Sequence, residues 1–230
     1  ARRGLRRIVT NTVGWGIRPK PTGRNPELVA QRWREWAETT QCDAAGRLTM
    51  YGLQRLVMRT VVESGEVLVR RRWRRPGDGL AVPLQLQVLE PDFLDTGRDA
   101  LVAAAGGAIV QGIEFDAIGR RAAYWLFDRH PGGLGASTGG TVSPLSRRIP
   151  ASEILHVYDQ ERAGQVRGPS WFASVDVLLH DFGDFQDATI VKQKIAACLT
   201  AFVTDLDGTG TPGLALPGTD SASQQPTDTF

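Results

Sequence analysis

The spacing of apolar positions divides the chain into three helical segments, a stretch of short strands, one long helix and a polar tail. Residues 1–13 read as the end of a basic helix, closed by Gly14-Trp15-Gly16 with Pro19 and Pro21. A second helix is predicted from Asn25. Asn is a favoured cap, Pro26 sits at the first helical position, and Leu28, Trp33, Trp36 and Ala37 form its apolar stripe. Thr49 is placed to cap a third helix, in which Leu53, Leu56, Val57, Thr60 and Val61 recur, and Gly65 ends it. The period then falls to two. Residues 66–70 and 84–89 read as strands, 109–115 and 122–127 as a hairpin about 116–120, and 153–158 as a further strand. Residues 131–146, rich in Gly, Ser, Thr and Pro, predict an exposed loop.

The longest regular run comes last. Apolar residues stand at 171, 175, 178, 182, 185, 188, 191, 195, 199 and 202, every step being three or four. This predicts a helix over 171–203, roughly 50 Å long at about 1.5 Å per residue, with Ser170 as its cap. The whole reads as an α+β fold: helices with a small, mostly antiparallel sheet, followed by one long helix. Residues 1–24 are a basic helix end and loop, 25–170 an α+β domain, 171–204 the long helix, and 205–230 a flexible polar tail.

Composition narrows the class. With 41% hydrophobic residues the chain can bury a core, which excludes full disorder. Cys42 and Cys198 are too few and too far apart in sequence for a disulfide framework or a CxxC zinc site. No run of 18 apolar residues occurs, so no membrane-spanning helix is predicted. The chain does not begin with Met, as expected for a segment of a longer protein. The net charge of +2 conceals a reversal. Residues 1–75 hold 17 Lys+Arg and 6 Asp+Glu, a net of +11, while residues 76–230 hold 10 and 19, a net of −9. A basic front and an acidic remainder suggest that one part alone meets polyanions.

No catalytic, metal-binding or cofactor-binding constellation stands out. His130, His156 and His180 form no HxxxH pair, and neither a GxSxG elbow nor a GxxxxGK[ST] phosphate loop occurs. Asp205-Leu206-Asp207-Gly208 is loosely like the start of a calcium loop, but no glutamate stands at loop position 12. His156, in an apolar strand, is expected to be a hydrogen-bonded structural residue. On the long helix Asp176, His180, Asp184 and Asp187 step by four, four and three and share one face. Two readings stay open: a solvated face, or an acidic stripe facing a neighbouring subunit's arginines or a channel. Lys192 and Lys194 lie about 200° apart around the helix and form no single patch; either could give one charge per subunit to a ring. Arg2, Arg3, Arg6 and Arg7, and the run that starts with Arg70, Arg71 and Arg72, are candidate phosphate or subunit-interface contacts. Without aromatic interleaving, sequence-specific DNA reading is not expected.

A series of segments, in order, resembles one family. They are Val13-Gly14-Trp15-Gly16-Ile17; Trp33-Arg34-Glu35-Trp36-Ala37 with Cys42-Asp43-Ala44-Ala45-Gly46; Glu63-Ser64-Gly65-Glu66-Val67; and Leu84-Gln85-Leu86-Gln87-Val88-Leu89-Glu90-Pro91-Asp92. Gly112-Ile113-Glu114-Phe115-Asp116 with Gly119-Arg120 follows, then Ile149-Pro150-Ala151 and Arg162-Ala163-Gly164-Gln165-Val166-Arg167-Gly168. Together they are similar to the lambda-type portal proteins of tailed bacteriophages. The resemblance implies a non-catalytic subunit of a twelvefold ring at one capsid vertex, through which double-stranded DNA passes non-specifically. It implies head assembly with capsid and scaffold proteins, packaging with the terminase large subunit, head-tail connection through head-completion or tail proteins, and DNA ejection. The location implied is the virion, with the host cytoplasm during assembly, and no membrane. Because family members are longer, the chain then corresponds to the wing and first stem helix, with the tail as the start of the clip. Arg162, Gly164, Gln165, Arg167 and Gly168 read as a structural turn motif: the glycines permit a tight turn, and the arginines pair with acids across it or across a subunit boundary. The competing function is a general non-specific DNA-binding module using the basic N-terminal third.

Overall fold

The computed structural model describes residues 2–101, 104, 106–132 and 145–198. The chain divides into two units, Ala1–Asp176 and Val177–Phe230. The first unit opens with three helices, α1 (Arg2–Val13), α2 (Pro26–Ala37) and α3 (Met50–Ser64). Thr49 Oγ1 accepts the Gly52 N–H at 3.4 Å, and Gly65 closes α3 in the left-handed region at φ 89°. Asn25 behaves differently from the expectation. It lies at φ 57° and makes no side-chain cap, although Pro26 does occupy the first helical position. Between α2 and α3 the buried Asp43 accepts the N–H groups of Ala45, Arg47 and Leu48 at 2.9–3.0 Å, which folds the 42–48 turn.

Where one sheet was expected there are two, both antiparallel. The first has the order β2-β1-β7, from β1 (Glu66–Trp73), β2 (Leu84–Leu89) and β7 (Ile154–Tyr158). The second has the order β3-β4-β5-β6, from β3 (Gly106–Val110), β4 (Ile113–Asp116), β5 (Arg121–Phe127) and β6 (Ser146–Pro150). The strand expected over 109–115 is broken in two by Gln111 and Gly112, at φ 50° and 79°, a pair that reverses the chain within two residues. The next turn is as expected: Asp116 Oδ1 accepts the N–H groups of Ile118 and Arg120, and Gly119 lies at φ 81°. β6 begins inside the segment read as a loop.

One core joins the two sheets through Leu68, Leu89, Leu94, Ile113, Tyr124, Leu126, Ile149 and Ile154. A second lies between the helices and β2, around Trp36, Ala37, Cys42 and Leu53. The register carries this division. Leu68 stands opposite Leu89 on β2 and His156 on β7, so one face of β1 looks into the first core.

The long helix, α4, runs Asp176–Cys198 and starts five residues later than expected. Ser170 explains the delay. Its hydroxyl donates to the Glu63 carbonyl at 2.7 Å and accepts the Phe172 N–H at 3.2 Å, and turns then carry the chain to residue 175. Residues 133–144 of the loop, 199–204 of the helix and the tail 205–230, with its Asp205–Gly208 motif, lie outside the described residues.

Candidate functional site

β1 begins with a charged residue in a run that is otherwise apolar and wholly buried, Glu66-Val67-Leu68-Val69. A carboxylate there must be matched by donors, and it is. Glu66 Oε2 is 2.9 Å from His156 Nε2 and accepts the Gly168 N–H at 3.0 Å, and Oε1 accepts from Arg167 Nε at 2.6 Å. The side chains of Glu66 and His156 are each 2% exposed. Burial pushes the Glu66 carboxyl up, but His156, Arg167 and the Gly168 N–H together outweigh it and hold the group below the usual carboxylate range.

The 162–168 run reaches Glu66 because it is folded around Gln165. Gln165 Oε1 accepts the N–H groups of Glu161 and Arg162 at 2.9 and 3.1 Å, and its Nε2 donates to the Arg167 carbonyl at 2.7 Å. Gly164 turns the chain at φ 74°. The Tyr158 hydroxyl donates to the Gln165 carbonyl at 2.9 Å, and Arg121 donates to Tyr158 Oη and to the Val166 carbonyl. Tyr124 Oη lies 3.5 Å from His156 Nδ1, and burial pushes its phenol up to about 12. Beyond the run the backbone is wedged against the end of α3. A Cβ on Gly168 would lie 2.4 Å from the Gly65 carbonyl oxygen, and one on Gly65 would lie 2.2 Å from the Pro169 carbonyl carbon. The Trp171 N–H bonds the Val62 carbonyl. With both oxygens of Glu66 engaged and buried, the cluster presents no open acid, base or ligand position. It fastens the segment that leads to α4 onto β1, β7 and α3.

The other sequence-selected residues fall into separate groups. Asp176, His180, Asp184 and Asp187 lie along α4, where His180 Nε2 is 3.8 Å from an Asp184 oxygen. No described residue of α4 is buried, and Lys192 and Lys194 are exposed. Arg2, Arg3, Arg6 and Arg7 are exposed on α1, and Arg2 and Arg6 wall a cleft with Arg55, Arg59 and Glu63 of α3. Arg70 pairs with Glu153 at 3.1 Å, Arg71 donates to the Ser152 carbonyl, and Arg72 donates to Gln87 Oε1 at 2.9 Å.

Sequence reasoning passed over Glu66, whose charge inside an apolar run was the available signal. It also passed over the approach of His130 to Glu90 and Asp92, at 3.4 and 3.6 Å. His130 Nδ1 accepts the Gly132 N–H at 3.0 Å, so a neutral ring keeps its proton on Nε2, between the carboxylates. A metal ion there would have to displace that proton, and the group reads as an imidazole–carboxylate contact.

The sequence pattern described as "Phage portal protein, lambda family" matches residues 1–229. The chain belongs to the lambda family of phage portal proteins. A relative named "Probable portal protein", from Halomonas phage phiHAP-1, is 30% identical over 177 residues, which is 76% of this chain. The portal chain described here spans only 32% of that relative's length. A solved chain titled "Neck of native GTA particle computed with C12 symmetry" matches 90% of this chain and 56% of its own, with 18% identity and a TM-score of 0.41.

Proposed function

We propose that this chain is the wing and first stem helix of a portal subunit, part of a ring at one capsid vertex through which double-stranded DNA moves. The observation that supports this most strongly is the family match over residues 1–229. The ring serves head assembly with capsid and scaffold proteins, packaging with the terminase large subunit, connection to head-completion or tail proteins, and ejection. The subunit is structural, located in the virion and, during assembly, in the host cytoplasm.

Within that role α4 is the stem helix, and its Asp176, His180, Asp184 and Asp187 face lines the conduit. A conduit must not hold its cargo. Each phosphate neutralised by a protein cation adds salt-dependent affinity, so a wall of carboxylates with sparse lysines lets DNA slide. The 159–170 segment, fastened at Glu66, is the mechanical link between the wing and that helix. Sedimentation of the full-length protein tests the ring. A single large species of fixed size is expected. A monomer that binds DNA with a steep salt dependence would favour a general DNA-binding module instead.

A further inference from the structure

The arginines of β1 are not held alike. Arg70 and Arg72 share one face of β1, in register with Gln87 and Gln85 of β2, and Arg74 follows just past the end of the strand, its N–H donating to the Pro83 carbonyl at 2.9 Å. Arg70 meets a carboxylate, Glu153. Among the described residues Arg72 and Arg74 form no ion pair. Arg72 Nη1 donates to Gln87 Oε1 at 2.9 Å, and Arg74 Nε donates to Gln85 Oε1 at 2.8 Å. Gln85 is itself fixed, its amide nitrogen donating to the carbonyls of Gln41 and Asp43. Both holders are neutral, and Gln85 is held in place on its other side. Several other arginines meet an acid, Arg148 with Glu114 at 2.7 Å, Arg147 with Asp128 at 2.8 Å and Arg167 with Glu66, while Arg71, Arg98 and Arg121 are held singly by carbonyls or hydroxyls; Arg72 and Arg74 differ from these in lying side by side. Burial, and then the charges of Arg70 and Arg74, hold the Arg72 guanidinium below its usual range, with Glu153 opposing. A row of like charges fixed by neutral amides is unfavourable alone and favourable once an anion lies along it. Arg72 and Gln87 also wall a concavity that includes Arg47.

We propose that Arg72 and Arg74, flanked by Arg70 and Arg47, form a track for the phosphate backbone of DNA, carried by the first sheet and not by α4. Within β1 the step from Arg70 to Arg72 is about 6.6 Å, a spacing suited to successive phosphates of one strand, and Arg74 extends the row past the strand end. The guanidinium fork matches phosphate oxygens in pairs. Trp73 alternates to the other face of β1 and Phe93 alone among aromatic residues lines the concavity, so the track has no row of rings for stacking bases and takes DNA without regard to sequence. This goes beyond the ring reading and does not depend on it.

The test is fluorescence anisotropy of a short mixed-sequence DNA duplex with the full-length protein across a salt series. Each phosphate contact contributes about 0.9 to the slope of log affinity against log salt. In R72Q/R74Q the slope therefore falls by about 1.8, and affinity changes about 12-fold less between about 50 and 200 mM salt than in the wild type. R72K/R74K retains the slope. Gln87→Glu leaves both arginines in place but neutralises Arg72. It is expected to fold at least as stably as the wild type and to lower the slope by about 0.9, so the proposal is tested even if the double variant fails to fold. An unchanged slope in Gln87→Glu overturns the proposal. So does unchanged DNA binding with loss of self-association, which would make the face a contact for acidic groups of a second copy. Ring formation, read in parallel, bears on the portal proposal alone.

Discussion

Glu66→Gln keeps the size of the side chain and removes its charge from a site that is 2% exposed. Three donors face it: Arg167 Nε at 2.6 Å, His156 Nε2 at 2.9 Å and the Gly168 N–H at 3.0 Å. Gln can still accept from Gly168, but it leaves Arg167 without a counter-charge. Removing one partner of a buried pair costs about 3–5 kcal/mol. The Arg167 side chain is 23% exposed, so water takes over part of its solvation and the expected loss lies at the low end, about 3 kcal/mol. Urea unfolding of the full-length protein, followed by Trp fluorescence, reads this directly. Adding Arg167→Gln and the double variant gives the coupling, expected at about 1.5–3 kcal/mol for hydrogen bonds to a charged group. The pH dependence follows from the direction of the shift. A carboxyl held low in the folded state stabilises fully above its unfolded value, about 4.3, and that contribution is lost as pH falls through the folded value. The gap between wild type and Glu66→Gln is therefore full at neutral pH and narrows below about pH 4.3. A loss under about 1 kcal/mol, or a gap that does not narrow in acid, would refute the anchoring role.

Three further outcomes are expected. Gly65→Ala forces a Cβ to 2.2 Å from the Pro169 carbonyl carbon at φ 89°, and the same unfolding assay should show a loss above about 2 kcal/mol, whereas Gly77→Ala, with nothing within 4 Å, should change little. Cys42 is fully buried, and burial, then Asp43, pushes its thiol up to about 11, while Cys198 is exposed. A thiol reagent, read by peptide mapping, should therefore label Cys198 promptly in the native protein and Cys42 only on unfolding; prompt labelling of Cys42 would contradict the packing around it. For the proposed stem face, Asp184→Lys with Asp187→Lys should slow DNA packaging several-fold, and an unchanged rate would count against a channel position.

The local features of the fold were legible because they are set by neighbours in sequence. The Thr49 and Gly65 boundaries of α3, Pro26 at the start of α2 and the alternation of β2 each depend on a few adjacent residues. The misses have physical causes. Ile109 and Phe115 belong to a run whose apolar positions do not reveal a reversal at Gln111, a residue that seldom takes positive φ. β6 is the edge strand Ser-Arg-Arg-Ile-Pro, too polar to announce itself beside β5. The apolar period of the long helix continues back to Trp171, but Ser170, fixed by the Glu63 carbonyl, keeps residues 171–175 in turns. The turn character of 162–168 could be read from its glycines. Its partner could not: Arg167 meets Glu66 across 101 positions of sequence, and only the fold brings them together. The reversal of charge between the first 75 residues and the remainder likewise pointed to arginine as the polyanion contact. It could not separate Arg70, matched by Glu153, from Arg72 and Arg74, held by glutamines.

The central claim is that this chain builds a ring. Single-particle electron microscopy of the full-length protein tests it most directly. Closed rings of uniform rotational symmetry around a central hole are expected, twelvefold in the assembled particle. Monodisperse monomers or open, irregular oligomers under assembly conditions would contradict it.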